Sequence, residues 1–356
     1  MSNKFIDEHF IDADKFSRFP KPIISQDLLI KETVGLRPFR KNGFRIEKEQ
    51  FGSKTIIHNY GHGGSGWSLS WGCAQLVLPL VQSTNEREIG VIGSGISGLS
   101  TARTLQDSGY KVTIYTKALP PYVTSSKATG TWSPSFTLIE EELITPEFQE
   151  KWRTAARYSF KHYQNLLGLN DIVTWMDVYV LIENPGGGHA TGHGPAALDI
   201  PGMLPKATIL EKGQHPFHTD QVAREKSMVF NIPSYLNKLV SDFLAFGGKI
   251  AIKEFHNPDD IGALAEKCIV NCTGLGAKAL FNDDNLIPVA GQLSFLIPQP
   301  SFNYRITTEK GYIIPRKDGV ILGGNMLKGV WDETPNPAQT LKVINALRET
   351  VSKMRS

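Results

Sequence analysis

The sequence has little of several features that mark specialised protein classes. Only three of its 356 residues are cysteines, Cys73, Cys268 and Cys272. All three lie in apolar surroundings, which favours buried, reduced thiols over a disulfide framework. Neither sign of charge dominates, since 38 lysines and arginines stand against 35 acidic residues. No basic tract is interleaved with aromatic residues, so nucleic acid is not an expected partner.

Long apolar runs are also missing. No stretch approaches the roughly 20 residues that a membrane-spanning helix needs, and the N-terminus lacks the apolar core of a signal peptide. We therefore expect a cytoplasmic protein with no membrane partner. A metal site is not expected either: Cys268 and Cys272 have no second pair, and His189 and His193 in a glycine-rich segment indicate a flexible loop more than a metal site.

A strand, a glycine turn and the start of a helix are present in residues 89–104. Gly93 permits the tight turn, Gly95 lets the backbone approach a pyrophosphate, and Gly98 lets the helix pack close to the strand. The N–H groups at the start of the helix bind phosphate. Because an apolar strand at 111–116 follows, the pattern predicts a dinucleotide site. Its candidate residues are Gly93, Gly95, Ile96, Ser97 and Gly98.

A second glycine-rich loop lies upstream. Residues 58–66 read His-Asn-Tyr-Gly-His-Gly-Gly-Ser-Gly, and an apolar helix begins near Trp67. A loop that runs into a helix N-terminus favours a bound anion, so this stretch predicts a second anion site.

Three stretches together resemble the FAD-dependent D-amino-acid oxidase family. They are residues 58–66 with Trp-Gly-Cys at 71–73, the glycine turn at 93–98, and Val-Asn-Cys-Thr-Gly at 270–274 with Gly-Gln at 291–292. Shorter matches occur at residues 124–126, 130–132, 312–315 and 321–324. The resemblance covers about residues 28–350, and the first stretch is specific to that family rather than to flavoproteins at large.

The order of the matching segments differs from the family's. There, the segment similar to residues 35–72 comes at the C-terminal end, after the segment similar to 312–324, whereas here it comes first. The sequence therefore predicts a circular permutation, in which residues 82–88 join the helix near Trp67 to the first nucleotide-binding strand. Neighbouring chain ends are common in domains, so the family fold is expected with a different cut point.

The expected fold class is α/β, with α+β elements in the second domain. A Rossmann-like FAD-binding domain is interleaved with a substrate domain that has a mixed or antiparallel sheet. The expected divisions are a tail or strap (1–27), the permuted segment (28–88), the first part of the FAD-binding domain (89–172), the substrate domain (173–245), the second FAD-binding part (246–290), and the substrate domain with a C-terminal helix (291–356).

The resemblance implies oxidative deamination of a D-amino acid with FAD as cofactor. Hydride passes from the Cα–H group to flavin N5, and O2 reoxidises the flavin to give H2O2. The implied partners are thus a small D-amino acid and O2, and homodimer formation stays open. The alternatives are an amine-oxidising relative, such as a glycine or sarcosine oxidase or a D-amino-acid dehydrogenase, and a flavin-binding partner protein without turnover.

The resemblance also implies roles for single residues. Arg40 matches the arginine that binds the substrate carboxylate, which suits the planar fork of a guanidinium. Tyr312 matches a tyrosine whose hydroxyl binds the same carboxylate, and Gly64 a glycine whose carbonyl accepts from the amine. Arg37 is expected to tie the loop together. The two histidines of the 58–66 loop, His58 and His62, are expected to structure that loop.

Cofactor contacts are implied at residues along the chain, with two departures from the family. Thr116 and Lys117 stand where an acidic residue usually binds the ribose, so ribose contact falls to Thr116 or backbone, and NADP stays open. A second tyrosine upstream of Tyr312 is absent, with Thr-Thr-Glu-Lys at 307–310. The implied contacts are Gly63, Gly64, Ser65, Gly66, Trp67, Ser68, Thr116, Lys117, Thr124, Ser125, Ser126, Gly130, Thr131, Phe255, Thr273 and Gly274.

Overall fold

The computed structural model describes residues 19–169, 171–184, 195 and 197–355. Its helices are α1 (Gly66–Gln82), α2 (Ile96–Asp107), α3 (Pro146–Gln164), α4 (Ile232–Ala245), α5 (Pro258–Gly262), α6 (Ala277–Leu280) and α7 (Pro337–Ser352). Its strands are β1 (Leu29–Arg40), β2 (Arg45–Phe51), β3 (Lys54–Tyr60), β4 (Glu88–Ile92), β5 (Lys111–Thr116), β6 (Val173–Ile182), β7 (Thr208–Glu211), β8 (Gln221–Phe230), β9 (Lys249–Ile252), β10 (Cys268–Asn271), β11 (Leu286–Leu296), β12 (Arg305–Thr308), β13 (Gly311–Arg316), β14 (Gly319–Gly323) and β15 (Leu327–Lys328).

A six-stranded sheet has the order β2-β3-β10-β4-β5-β9. All neighbours are parallel except the β2–β3 pair. Ile89, Val91, Ile114 and Val270 are fully buried in it, as expected of parallel strands that are covered on both faces. The predicted Rossmann-like fold is thereby confirmed.

A second, nine-stranded sheet runs β1-β11-β14-β13-β12-β6-β8-β7, with β15 paired to β11. Its neighbours are antiparallel except for β12 and β6, which are parallel. This is the mixed sheet expected for the second domain. Helix α7 covers one face of this sheet, where its Ile344 and Leu347 are fully buried.

Helix α1 connects two strands of the six-stranded sheet. It follows β3 and is joined to β4 by residues 83–87, while β10 lies between those two strands. The helix packs closely on α3, because a Cβ on Gly72 would lie 1.9 Å from the carbonyl oxygen of Ala155. The 28–88 segment is therefore built into both sheets: β1 lies in one, and β2 and β3 in the other.

A short strap precedes β1. Phe19 and Ile24 are buried, and the Phe19 ring lies 5.3 Å from that of Tyr179 and 6.2 Å from that of Phe217, centroid to centroid. The strap thus closes the apolar core under the nine-stranded sheet. Residues 1–18 of the expected tail and the loop histidines His189 and His193 lie outside the described residues.

Candidate active site

A cavity of about 1280 Å³ is lined by residues from both sheets. One part reaches the carboxyl ends of β4, β5 and β10, at Ile92, Thr116 and Cys272. The other part lies on the face of the nine-stranded sheet, at Arg37 and Tyr312. Ligands of open α/β sheets bind outside the carboxyl ends of the strands, so the first part suits a nucleotide.

The predicted glycine turn begins where β4 ends. Gly93 has a φ of 111°, in the left-handed region that favours glycine. A Cβ on Gly98 would lie 2.0 Å from the Gly93 carbonyl oxygen, so close packing of α2 on the turn requires glycine there. A Cβ on Gly95 would meet Ser125 Oγ at the tight distance of 3.0 Å. Because Gly95 has no side chain and lines the cavity, its backbone is accessible to a pyrophosphate beside the Ser125 hydroxyl.

Two helices begin at the cavity. Ile96 opens α2, and its N–H donates to Ser125 Oγ at 2.9 Å. Helix α1 opens with Gly66 and Trp67, which both line the cavity. Each helix N-terminus carries partial positive charge and unpaired N–H groups. Both predicted anion sites thus open into one cavity.

The loop before α1 is packed against residues 136 and 137. A Cβ on Gly63, which has a φ of 52°, would lie 1.6 Å from the Thr137 carbonyl oxygen. A Cβ on Gly64 would lie 2.5 Å from the Phe136 ring. The glycines therefore let this loop run between its neighbours and present its backbone to the cavity.

The predicted cofactor residues divide into two groups. Gly98, Ser65, Ser68 and Ser126 are not in the cavity lining. Ser65 Oγ donates to the Phe136 carbonyl oxygen at 3.0 Å, and Ser68 Oγ accepts from the Ser133 N–H at 2.7 Å. These residues shape the loops around the cavity. The residues that do line it are Gly63, Gly64, Gly66, Trp67, Gly93, Gly95, Ile96, Ser97, Thr116, Lys117, Thr124, Ser125, Gly130, Thr131, Phe255, Thr273 and Gly274.

These features fit FAD. The accessible backbone of Gly95, together with the start of α2, suits the pyrophosphate. A Rossmann fold holds adenosine beside the ends of β5 and β9, and Lys117 and Phe255 line the cavity there. The loop at Gly63 and Gly64 then borders the flavin end, with the N-terminus of α1 behind it. The chain's own backbone and glycines thus supply the cradle for the cofactor.

A row of three side chains crosses the nine-stranded sheet at the other part of the cavity. The Arg37 guanidinium lies over Gly291, where a Cβ would be 2.4 Å from Nη1. The Tyr312 ring lies over Gly323, where a Cβ would be 2.4 Å from the hydroxyl. The Arg305 guanidinium stands 5.3 Å from the Tyr312 ring centroid. The two glycines make room for the row, which places Tyr312 between two cations.

Both arginines of this row are half-buried cations. Burial lowers the pKa of Arg37, and the nearby Tyr312 opposes that shift. Burial likewise lowers the pKa of Arg305, opposed by Tyr312 and Glu225. Arginine nevertheless stays charged in proteins. Neither forms an ion pair with a carboxylate within 4 Å in the part of the chain that the structure describes, so the row places two cations on the cavity wall.

Arg305 was not among the predicted site residues. It lies on β12, where Arg305 and Thr307 line the cavity and the alternate residue Ile306 is fully buried. Arg305 Nε donates to Thr307 Oγ1 at 2.9 Å, which holds the guanidinium in the cavity. The sequence gives no clear signal for this face, because Thr308 lines the cavity as well as Thr307 and the alternation does not extend along the strand.

Arg40 needs correction as the expected carboxylate ligand. It is not in the cavity lining, and its Nε lies 2.8 Å from Asp283 Oδ2 in an ion pair that is largely buried. Tyr60 also donates to Asp283, at 2.7 Å. Burial tends to raise the pKa of Asp283, but the hydrogen bonds from Arg40 and Tyr60 outweigh it and the pKa is lowered. Arg37, expected to tie the loop together, lines the cavity instead, as Arg305 does.

The two histidines of the glycine-rich loop, His58 and His62, contact neighbouring side chains of the protein. His58 Nε2 lies 3.0 Å from Glu49 Oε2, and its Nδ1 lies 3.1 Å from Asn271 Nδ2. Burial lowers the pKa of His58 and lowers that of His62 to about 4. His62 stacks on Phe44 with ring centroids 5.7 Å apart. Both rings thus support the loop as neutral side chains at pH 7.

The described residues contain no group of three or more His, Cys, Asp or Glu side chains that could hold a metal ion. None of their helices combines the length and apolar character needed to cross a membrane. The three cysteines are buried and unpaired.

Comparison with known proteins gives three findings. The family model "FAD dependent oxidoreductase", named DAO, matches residues 88–355. A D-amino acid oxidase of Dugesia ryukyuensis is 27% identical over 269 residues, which cover 73% of this chain and 76% of that protein. A D-amino-acid oxidase of Fusarium vanettenii is 48% identical over 59 residues, 16% of each chain.

Solved structures share the fold. The glycine oxidase of Geobacillus kaustophilus superposes with a TM-score of 0.54 at 13% identity, covering 76% of this chain and 80% of that one. At that identity the likeness concerns the arrangement of the strands and helices. It agrees with the two-sheet architecture around the cavity.

Proposed function

The chain belongs to the DAO family of FAD-dependent oxidoreductases, and from this premise we propose that it oxidises D-amino acids to imino acids, which water converts to 2-oxo acids and ammonia. The observation that carries the proposal is the half-buried Arg37 beside Tyr312 in the cavity that also holds the glycine cradle. A partly desolvated guanidinium with a neighbouring hydroxyl suits a carboxylate. The names of the D-amino acid oxidase relatives support the same reaction.

FAD, when bound, supplies the acceptor for the hydride that leaves Cα. The substrate reacts as the neutral amine: its nitrogen lone pair forms the C=N bond as the hydride leaves, so that two electrons have left the amino acid. The resulting iminium loses one proton to give the imino acid. Water adds to that bond and ammonia leaves. We propose O2 as the final acceptor, with H2O2 as its product.

The protein's part is to hold the substrate and shape the field around it. Arg37 and Tyr312 fix the carboxylate, which sets the direction of the Cα–H bond. The backbone of Gly64 borders the same space and is the proposed acceptor for the amine. The N-terminus of α1 stabilises negative charge that develops at this end of the cavity. With its pKa lowered to about 4, His62 is too weak a base to serve as the general base of the reaction.

Anaerobic reduction of the flavin tests the reaction. The purified protein, loaded with FAD, should lose its yellow absorbance when a D-amino acid is added without oxygen, and keep it with the L-enantiomer. Air should restore the colour and yield one H2O2 per turnover. No bleaching with a broad panel of D-amino acids, glycine and sarcosine would overturn the proposal.

Replacing Arg37 tests the carboxylate site. Arg37→Met should lower kcat/KM by roughly a hundredfold or more, because the substrate carboxylate would be buried without a partner. Arg224→Met is the matched control, since Arg224 does not line the cavity, and it should retain activity. Equal activity of Arg37→Met and the wild type would remove Arg37 from the site.

A finer proposal concerns the substrate side chain. Arg305 supplies a second cation in the cavity, 5.3 Å from the Tyr312 ring centroid, so one carboxylate of a dicarboxylate can bind Arg37 and the other Arg305. Glu225 also acts on the Arg305 charge, and a substrate carboxylate would bind beside it. This supports acidic D-amino acids, with D-aspartate and D-glutamate as the class.

Matched acids and amides test this preference. D-Aspartate and D-glutamate should exceed D-asparagine and D-glutamine in kcat/KM by roughly tenfold or more, as expected for charge-assisted hydrogen bonds. Arg305→Met should abolish that ratio while the activity on neutral D-amino acids persists. An unchanged ratio in Arg305→Met would contradict the acidic preference and leave the oxidation of D-amino acids intact.

A further inference from the structure

The adenosine end of the cavity lacks the acidic residue that Rossmann folds usually place after their second strand. In that fold an Asp or Glu about 20 residues after the glycine turn binds the ribose hydroxyls. Here β5 ends in Thr116 and Lys117 follows. Some other group must therefore hold the ribose of a cofactor that the family requires.

The Thr116 hydroxyl is already engaged. Its Oγ1 donates to the Ala118 carbonyl oxygen at 2.8 Å and lies 3.0 Å from Ser94 Oγ. Ser94 Oγ in turn donates to the same carbonyl at 2.6 Å. The Thr116 side chain is buried, so it ties the glycine turn to the end of β5. The expectation that Thr116 takes the ribose is not supported by this arrangement.

The next strand along the sheet brings a carboxylate to the same place. β9 runs parallel to β5 with Ile252 opposite Thr116, and the Lys253 N–H donates to the Thr116 carbonyl oxygen at 2.9 Å. Glu254 follows and lines the cavity. Its Oε1 lies 3.8 Å from Lys117 Nζ, and about half of the Glu254 side chain is exposed. The carboxylate therefore stands beside the position that the missing acid would occupy.

The charges around Glu254 are arranged to leave it available. The Lys253 ammonium lies 5.2 Å from the Phe255 ring centroid and is directed to that ring. Lys117 pairs with Glu254 only at the limit of ion-pair distance, with 74% of the Lys117 side chain exposed. A loose, exposed ion pair of this kind contributes little to stability, so ribose hydroxyl groups can donate hydrogen bonds to the Glu254 carboxylate oxygens in its place.

We propose that Glu254, reaching over from β9, is the residue that binds the ribose hydroxyls of the FAD adenosine. The acid thus follows β9, the parallel neighbour of the second strand, rather than the second strand itself. A carboxylate there accepts from a free 2′-hydroxyl and repels a 2′-phosphate. The cavity thus selects an adenosine with an unmodified ribose, which decides between the two nucleotide types that Lys117 alone left open.

Binding to the flavin-free protein tests this inference without turnover. Apoprotein is titrated with FAD while the quenching of flavin fluorescence is followed. Glu254→Gln should weaken FAD binding roughly tenfold or more, the loss expected for hydrogen bonds to a charged group. Glu150→Gln is the control, because it removes the same charge from an exposed position on α3, and it should bind FAD like the wild type.

Nucleotide competitors locate the contact at the ribose. ADP should displace FAD from the wild type better than 2′-deoxy-ADP or adenosine 2′,5′-bisphosphate does. In Glu254→Gln the preference for ADP over 2′-deoxy-ADP should vanish, and the bisphosphate should gain. Wild-type FAD affinity in Glu254→Gln would overturn the proposal, as would a loss seen only in Lys117→Gln. Neither outcome bears on the substrate, so the proposed reaction is tested separately.

Discussion

Arg37 and Arg40 lie on the same strand, but their side chains have different surroundings and different roles. They are three positions apart on β1, and side chains alternate between the faces of a strand, so they point to opposite sides. Arg37 enters the cavity over Gly291, whereas Arg40 reaches Asp283. A spacing of three in a strand therefore separates a binding arginine from a structural one.

Arg40→Ala should reduce stability rather than substrate binding. It would leave the buried Asp283 carboxylate without its cation, a change that costs about 3–5 kcal/mol. Urea unfolding of the FAD-free protein should show that loss. The double variant Arg40→Met with Asp283→Asn should recover part of it, because no uncompensated charge remains. Unchanged stability of Arg40→Ala, together with a large rise in KM, would return Arg40 to the substrate site.

Single residues were predictable from the sequence to different degrees. Tyr312 and Gly64 were found because each stands within a stretch that resembles the family, and both line the cavity. Arg305 stands in no such stretch, and an isolated arginine in a short strand gives no signal until pairing shows which face it occupies. Glu254 was missed for a related reason: its position depends on β9 lying beside β5, which is a fact of sheet order.

The strand–turn–helix element at the cofactor site depends on three glycines with different tasks. Sequence reasoning assigned a turn to Gly93, close approach to Gly95 and packing to Gly98. The φ of 111° at Gly93 and the 2.0 Å approach at Gly98 agree with two of those tasks. The expected role of Gly95 is to let the ligand approach the backbone, and the structure shows Gly95 in the cavity lining.

Alanine at Gly98 and at Gly95 should therefore differ in kind. Gly98→Ala forces α2 away from the turn, because its Cβ meets a backbone oxygen that cannot rotate aside, and we expect a loss of several kcal/mol of stability. Gly95→Ala has an allowed backbone, with φ of −70°, and its Cβ meets only the Ser125 hydroxyl. That hydroxyl is the end of a side chain and can shift, so we expect the stability of the FAD-free protein to fall by about 1 kcal/mol, far less than in Gly98→Ala. Gly95→Ala should still weaken FAD binding, since its methyl group occupies the pyrophosphate space.

Thermal unfolding without cofactor and FAD titration separate these two effects. Gly98→Ala should fail in both measurements, and Gly95→Ala only in the second. Gly262→Ala serves as the control for a glycine-to-alanine change, because a Cβ there would meet nothing within 4 Å and Gly262 does not line the cavity. If Gly95→Ala bound FAD like the wild type, the pyrophosphate would not lie over that glycine.

At the scale of the whole molecule, the two ends of the described chain are neighbours. Lys21 Nζ donates to the Met354 carbonyl oxygen at 2.6 Å, and Arg348 Nε donates to the Ile24 carbonyl oxygen at 2.8 Å. Both ends also contact neighbouring residues of one loop. The Arg355 N–H donates to the Pro216 carbonyl oxygen at 2.7 Å, and the Phe19 ring lies 6.2 Å from that of Phe217. The family match starts at residue 88, the first residue of β4. Sequence order alone could suggest a permutation, but the proximity of the ends needs the folded structure.

A reordered chain tests whether the order of segments matters. It would begin at Glu86, run to Arg355, pass through a linker of about four residues, which spans up to roughly 13 Å, and continue from Phe19 to Asn85. All contacts of both sheets would be retained, and moving a surface connection changes loop-closure entropy only slightly. The reordered protein should therefore have the same circular dichroism, bind FAD with similar affinity and turn over the same substrates. A chain of residues 89–355 alone is the control and should not bind FAD, because it lacks β1, β3, α1 and Arg37. A reordered chain that folds but does not bind FAD would show that the cofactor site depends on the present order.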